Sequence, residues 1–285
     1  MSDGRVLNIV DFSDTHIGCK FGLCPPEGFV LDEGVRVGAY TADDPLAVMR
    51  RTVWGWWEEF WGDFVPRATR GEPFAIVCNG DAMDGNHHGS STPFTANTHD
   101  QVLMAHQVYK PLIDICEGRF YLIRGTQVHV GESGRDEEAL GQMLNAVPFR
   151  GRHSRWEMRA RLGDRLLHFA HHIGTTTSPF AQSGALQRLA VRSYVETGRR
   201  GDPPYSLLAR AHRHSHSEIS EQAAHGKVTV LTTPAWQLKT PYVHSKDGLQ
   251  MMQPEIGGVV IRLNDGELFT RAFVKRLAPE PEEII

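Results

Sequence analysis

Three short apolar runs in the first half of the chain, residues 6–12, 74–78 and 120–123, are rich in branched or aromatic side chains. Gly, Asp, Asn or Pro bounds each of them, which marks them as buried strands. Between them lie two stretches with helical spacing: residues 46–65, apolar at 53, 56, 57, 60, 61 and 64, and residues 102–116, apolar at 102, 105, 108, 112 and 115. Strand, helix, strand, helix, strand in that order implies a layered α/β fold with a largely parallel sheet. In such a sheet the loops after the strands' carboxyl ends gather at one edge, so residues far apart in sequence converge there.

Beyond residue 150 the pattern changes. In "RWEMRARLGDRLLHFAHH", Trp156, Met158 and Ala160 alternate with charged residues before a Gly-Asp turn, which predicts a half-exposed hairpin. Runs at 166–170, 207–211 and 228–231 add strands, and residues 255–276 read as a closing β-hairpin around Asn264-Asp265-Gly266. A second, more antiparallel sheet packed on the first is therefore expected. The 285 residues are read as a single domain, with 277–285 as a frayed tail.

Composition narrows the class. No apolar run approaches the roughly 20 residues that span a bilayer, and "MSDGRVLNIV" lacks the basic and apolar regions of a signal peptide, so no membrane association and a cytoplasmic location are expected. Cys19, Cys24, Cys78 and Cys116 show no CxxC spacing and read as reduced thiols. The tryptophan-rich "VWGWWEEFWGDFV" has its rings at helical spacing, with Glu58, Glu59 and Asp63 on the polar side, where they would repel phosphates and anionic lipid. It reads as a core helix. The net charge of −4 hides twelve arginines, no lysine and four acids between Arg150 and Arg213, a local +8 that suits either a solvated face or a polyanionic substrate.

The chemistry concentrates at strand ends. "SDTHIG" carries Asp14 and His16, "NGDAMDGN" carries Asp81 and Asp84, "HFAHHIG" places His171 between His168 and His172, and "ARAHRHSH" carries His212, His214 and His216. In an extended chain Asp14 and His16 point the same way, as do His212 and His214, so each pair can reach one ion. A carboxylate between two cations can bridge them, and Asp81 is placed to do so. Imidazole nitrogen with carboxylate oxygen suits Zn, Fe or Mn better than Mg or Ca. In "RGTQVHVG", after the third strand, His129 can be a ligand, a proton donor or a loop residue.

Taken in order, these blocks resemble the calcineurin-like metallophosphoesterase family, whose pattern is DxH, GDxxD, GNH, a single H and GHxH. Here they read Asp14-Thr15-His16, Gly80-Asp81-Ala82-Met83-Asp84, Gly125-Thr126-Gln127-Val128-His129, His171 and Ala211-His212-Arg213-His214. The resemblance implies an α/β fold: a four-layer α/β/β/α sandwich of two mixed β-sheets flanked by helices. It also implies two divalent metal ions, manganese first, with iron, zinc or a mixed pair as alternatives. Asp14, His16 and His214 would hold one ion, His171 and His212 the second, with Asp81 bridging. His171 is preferred to His172 because the family's ligand is usually the first histidine closing its strand.

The departure lies in the third block, where Thr126 replaces the family's Asn ligand and the histidine falls two residues later, a form similar to GTxxH variants among phage-associated members. Thr126 as a weak or water-mediated second-metal ligand, Gln127 as the amide donor, and His129 as a second-ion ligand remain alternatives. If His129 keeps the family role it is the general acid, with Asp84 orienting it and keeping it protonated.

The implied activity is hydrolysis of a phosphodiester in a nucleotide or nucleic acid, a nuclease among the options, by two-metal activation of water. A phosphomonoesterase acting on small molecules or phosphoproteins, and a catalytically impaired metal-binding scaffold, are the alternatives. Substrate-binding residues are not assigned, but the loops at 18–40, 86–99, 173–182 and 239–252 should surround the ions.

Overall fold

The computed structural model describes residues 6–41, 44–87, 89–174, 179–223, 226–247 and 253–277. The expected tail therefore lies almost wholly outside the described residues, as do parts of the loops at 173–182 and 239–252.

In chain order the elements are β1 (Asn8–Phe12), a small hairpin of β2 (Phe29–Val30) and β3 (Arg36–Val37), α1 (Pro45–Glu59), a π-helical turn (Phe60–Phe64), α2 (Val65–Thr69), β4 (Phe74–Asn79), α3 (Thr98–Ile115) and β5 (Phe120–Ile123). A 3₁₀ turn (Glu132–Gly134), α4 (Arg135–Met143), β6 (Ser154–Arg155), β7 (Glu157–Leu162), β8 (Arg165–Ala170), α5 (Pro179–Arg200) and β9 (Leu207–Arg210) follow. The chain ends with β10 (Ser217–Ala223), β11 (Gly226–Thr232), α6 (Pro241–Asp247), β12 (Ile256–Asn264) and β13 (Glu267–Lys275). One sheet runs β13-β12-β1-β4-β5-β6 and the other β10-β11-β9-β8-β7. Both are mixed: β1, β4, β5 and β6 are parallel, as are β8, β9 and β11, while β12 on β1, β13 on β12, β10 on β11 and β7 on β8 are antiparallel.

The period-two alternation of β1 and β4 divides the core. Val10, Phe12, Ile76 and Cys78 face α1 and α3, whereas Ile9, Ala75 and Val77 meet Leu167, Phe169, Leu207 and Ala209 of the second sheet. On that sheet's far side Leu208, Val228 and Val230 pack on Leu186 and Ala190 of α5. Helix, sheet, sheet, helix is the expected four-layer sandwich.

The tryptophan-rich helix is a core element. Asp44 caps it by accepting Leu46 N–H (2.9 Å), Pro45 occupies its first turn, and Trp57 meets Phe12 and Trp236 edge-on at ring separations of 5.5 and 4.8 Å. Burying a side chain of this size stabilises by roughly 1.5–3 kcal/mol. All four cysteines are buried free thiols.

Two expectations need correction. The closing hairpin extends the first sheet, β12 pairing antiparallel with β1, because Val259 and Ile261 complete the same inter-sheet core as Ile9. Trp156 drops out of the hairpin's alternation: it precedes β7 and is 48% exposed, while Met158 and Leu162 are buried.

Strand ends are level where the chemistry lies. Phe12 pairs with Cys78, Asn79 with Ile123, and Phe169 with Ala209, so the following loops of both sheets emerge along one edge.

Candidate metal centre

Hydrogen bonds between the loops tie this edge together. Asp14 N–H donates to Gly80 O (3.0 Å), His16 N–H to Asp81 O (3.1 Å), Ala211 N–H to His171 O (2.8 Å) and Trp236 N–H to Asp14 O (3.0 Å). The two sheets therefore share one polar rim.

The backbone there departs from the extended form expected at Asp14-x-His16 and His212-x-His214. Asp14, His16, Asp81, His212 and His214 have φ of 52°, 41°, 51°, 71° and 53°. This left-handed geometry costs about 1–3 kcal/mol per non-glycine residue and persists only where surroundings enforce it. The side chains converge because the chain coils tightly after each strand, not because it alternates.

The convergence is close. Asp14 Oδ1 lies 3.3 Å from His214 Nε2 and 3.9 Å from both His16 Nε2 and His171 Nε2. Asp81 Oδ2 lies 3.0 Å from His171 Nε2 and 3.9 Å from His16 Nε2, so it stands between the two groups. Ligand-capable atoms cluster as Asp14-His16-His214, Asp14-Asp81-His171 and His171-His172-His212. Glycines make the room: a Cβ on Gly125 would lie 2.0 Å from Asp81 Oδ1, and one on Gly80 2.5 Å from His171 Nδ1.

Of the paired histidines, His171 is the inner one. It is buried, and its Nδ1 donates to Asn79 O (2.7 Å), which leaves Nε2 facing Asp81 as the nitrogen a cation would take. His172 is exposed at the rim. His168 and His216 are not part of the centre: His168 Nε2 pairs with Glu157 (3.0 Å), and His216 Nδ1 bonds Thr232 O (2.8 Å).

Of the three alternatives for the third block, the structure brings Thr126 closest to the second group. Thr126 N–H and Oγ1–H donate to the two oxygens of Asp81 (2.6 and 3.0 Å), and Oγ1 lies 3.1 Å from His212 Nδ1 and 3.3 Å from His171 Nε2. Its hydroxyl thus occupies the second group's interior. Gln127 is exposed and lines a neighbouring cavity. His129 clusters with His16 and Asp81, on the first group's side rather than the second's.

Asp84 does not hold His129 by its carboxylate. Its Oδ1 faces His16 Nδ1 (3.3 Å) and His87 Nε2 (3.6 Å), and only its main-chain oxygen takes the His129 Nδ1 proton (2.5 Å). Burial, opposed by Asp81 and Asp84, pulls the His129 pKa below the ordinary imidazole value. The turn after β5 accounts for this pose, since His129 N–H donates to Thr126 O (2.8 Å) and brings the ring back over the loop.

Charge coupling inside the cluster is strong. Burial would raise the pKa values of Asp14 and Asp81, but the imidazoles of His171, His214 and His16 outweigh it and hold both below the usual carboxylate range. Burial likewise works against protonated His171, yet Asp81 and Asp14 carry its pKa up to about 10. His212 goes the other way, to about 4, through burial and the neighbouring His171.

A divalent cation fits this donor set. Asp14 Oδ1 and His16 Nε2 are fully buried and take part in no hydrogen bond, an arrangement that is costly unless something else satisfies them. Imidazole nitrogens with carboxylate oxygens match first-row transition ions.

Two contributors escaped sequence reading. Glu137, buried in α4, accepts Ala82 N–H (3.2 Å) and Gly125 N–H (2.9 Å), so it straps the Asp81 loop to the Thr126 loop. Burial and Asp81 push its pKa up to about 7. "GRDEEAL" looks like a solvated acidic face, and the only hint was its position in a helix's first turn. His87 stands with its ring 4.7 Å from that of His129, and "GNHH" carried no recognisable spacing.

In motif order and in fold the chain resembles the calcineurin-like metallophosphoesterases. No family model matches it, and no curated protein matches it significantly. Among solved structures it is similar to a predicted phosphoesterase from Streptococcus pneumoniae TIGR4 (10% identity, TM-score 0.35, covering 94% of this chain and 98% of that one). It is also similar to vacuolar protein sorting 29 from Cryptosporidium parvum (11%, 0.35, 95% and 98%) and to a sulfate thiohydrolase from Thermus thermophilus (13%, 0.41, 95% and 57%). Likenesses this distant add nothing to what the atoms of the centre say. Among the described residues no helix is long and apolar enough to cross a membrane.

Proposed function

We propose that the protein is a metal-dependent phosphoesterase that hydrolyses a phosphodiester at a two-metal centre. The observation that carries this reading is the convergence of buried Asp14, His16, Asp81 and His171 with half-buried His212 and His214, with Asp14 Oδ1 and His16 Nε2 left without hydrogen bonds. Asp14, His16 and His214 would hold one ion, and His171 and His212 the other, with Thr126 Oγ1 beside it. Asp81 lies between the two sets. Manganese is the first choice, with iron, zinc or a mixed pair as alternatives.

Bound cations would polarise phosphoryl oxygens and acidify a water for in-line attack on phosphorus. The protein's own part is positioning. Thr126 fixes both oxygens of Asp81, Asn79 O fixes the His171 tautomer, and Asp84 orients His16 by its carboxylate and His129 by its carbonyl. His129, with Nδ1 engaged, presents Nε2. An anionic substrate beside it raises its proton affinity, and the charged ring then gives the leaving oxygen its proton. A diester is favoured because cavities open on two sides of His172, leaving space for substrate on either side of a scissile phosphate.

Hydrolysis of bis-aryl and mono-aryl phosphate esters in manganese tests the proposal. Turnover of the bis-aryl ester is expected. Turnover of the monoester alone contradicts the diester reading.

A further inference from the structure

Two arginine-lined cavities meet at His172, whose ring stands 5.1 Å from His171 and 5.0 Å from His212. The larger, about 1090 Å³, takes Arg124, Arg150, Arg152 and Arg155 and carries two half-exposed rings, Trp156 and Phe149. The smaller, about 870 Å³, takes Arg188, Arg192 and Arg210. Arg124 packs over Trp156 (5.4 Å), while Arg150 and Arg155 pack over Phe149 (5.1 and 5.3 Å). The rings are braced by guanidinium groups and still present surface to solvent.

The positive charge of the 150–213 segment is thereby divided. Arg159 faces Asp202, Arg165 faces Glu267, and Arg199 and Arg200 face Glu196, so these belong to an ordinary solvated surface. Arg150 and Arg152 are exposed and form no ion pair among the described residues. Of the three glutamates bordering the larger cavity, Glu138 is engaged by His153 N–H, Ser154 and Arg124 and Glu157 by His168, while Glu132 is exposed. The track therefore offers cations and aromatic faces together.

We propose that this track is a single-stranded nucleic-acid groove. Its exposed arginines, Arg150, Arg152, Arg188 and Arg192, take successive phosphates, Trp156 and Phe149 stack on unpaired bases, and the strand passes His172 at the candidate metal centre. The inference rests on the phosphodiesterase reading above. Bases in a duplex have their faces covered by each other, so half-exposed rings between cations favour a strand whose bases are free, with little sequence preference. A lone nucleotide would fill one cavity and leave the other unused. DNA and RNA share this chemistry.

The test is anisotropy of labelled oligo-dT and oligo-U, about 12 nucleotides long to span a typical single-strand site, with the full-length protein in EDTA. Binding of either strand is expected, and the tighter one assigns DNA or RNA as the source. Trp156→Ala should weaken binding about 5- to 150-fold, the range that loss of one stacked base gives. Arg150→Gln with Arg152→Gln should flatten the plot of log affinity against log salt by about 1.4, at about 0.7 per lost single-strand phosphate contact. Both variants should keep the wild-type melting temperature and manganese content, so that weaker binding is not a loss of fold. Unchanged binding in both variants, or equal affinity for a duplex, overturns the groove. Bis-aryl hydrolysis without oligonucleotide binding overturns the groove and leaves the phosphodiesterase reading standing. Oligonucleotide binding without any ester hydrolysis overturns the phosphodiesterase reading on which the groove depends.

Discussion

His129 donates its Nδ1 proton to the main-chain carbonyl of Asp84 at 2.5 Å, while the Asp84 carboxylate faces His16 at 3.3 Å. A carbonyl can only accept, so the tautomer of neutral His129 is fixed with its lone pair on Nε2. The working nitrogen is set by backbone geometry.

Replacing His129 therefore separates two roles. In His129→Ala, hydrolysis of an alkyl phosphodiester should fall about 10²- to 10⁴-fold, the usual contribution of a general acid. Activated aryl esters, whose leaving groups need no proton, should be spared, and metal content should not change. Loss of an ion from this variant, measured by elemental analysis, would make His129 a ligand instead.

Glu137 is expected to matter through the two loops it straps. Glu137→Gln keeps one acceptor oxygen but turns an amide N–H₂ toward the other N–H, leaving a buried donor unsatisfied. Denaturant unfolding should show a loss of about 1–3 kcal/mol. A parallel fall in kcat, with KM less affected, is expected because Asp81 and Thr126 loosen together. Unchanged stability would mean that the strap carries no weight.

Glu138 governs part of the acid limb of stability. Burial would raise its pKa, but His153 N–H, Ser154 N–H and the Ser154 hydroxyl outweigh that and bring it down to about 2. A carboxyl whose folded pKa is depressed contributes stability that is fully present above its unfolded value, about 4.5, and is lost as pH falls toward about 2. Melting curves between those limits should be steeper in pH for the wild type than for Glu138→Gln. Parallel curves would contradict this.

Much of the fold could be read directly. Period-two and period-3.6 patterns separate β1, β4 and β5 from α1 and α3, and the polar blocks after the strands marked the rim. The sheet to which residues 255–276 belong could not be read, because β12 pairs with β1 across most of the chain and no local pattern records that distance. The left-handed backbone at Asp14, His16, Asp81, His212 and His214 was equally invisible, since none is a glycine to announce it. Glu137 and His87 were missed for a related reason: their partners lie on other loops, and only packing reveals that a carboxylate in an acidic run faces inward.

Asp81 is the residue on which the account turns, because its Oδ2 faces His171 at 3.0 Å and His16 at 3.9 Å, one from each candidate set. The most direct measurement is metal stoichiometry and bis-aryl phosphate turnover of Asp81→Asn beside the wild type at saturating manganese. The account predicts two ions per wild-type chain, fewer in the variant, and near-complete loss of turnover. Two ions and undiminished turnover in Asp81→Asn would contradict a centre bridged by Asp81.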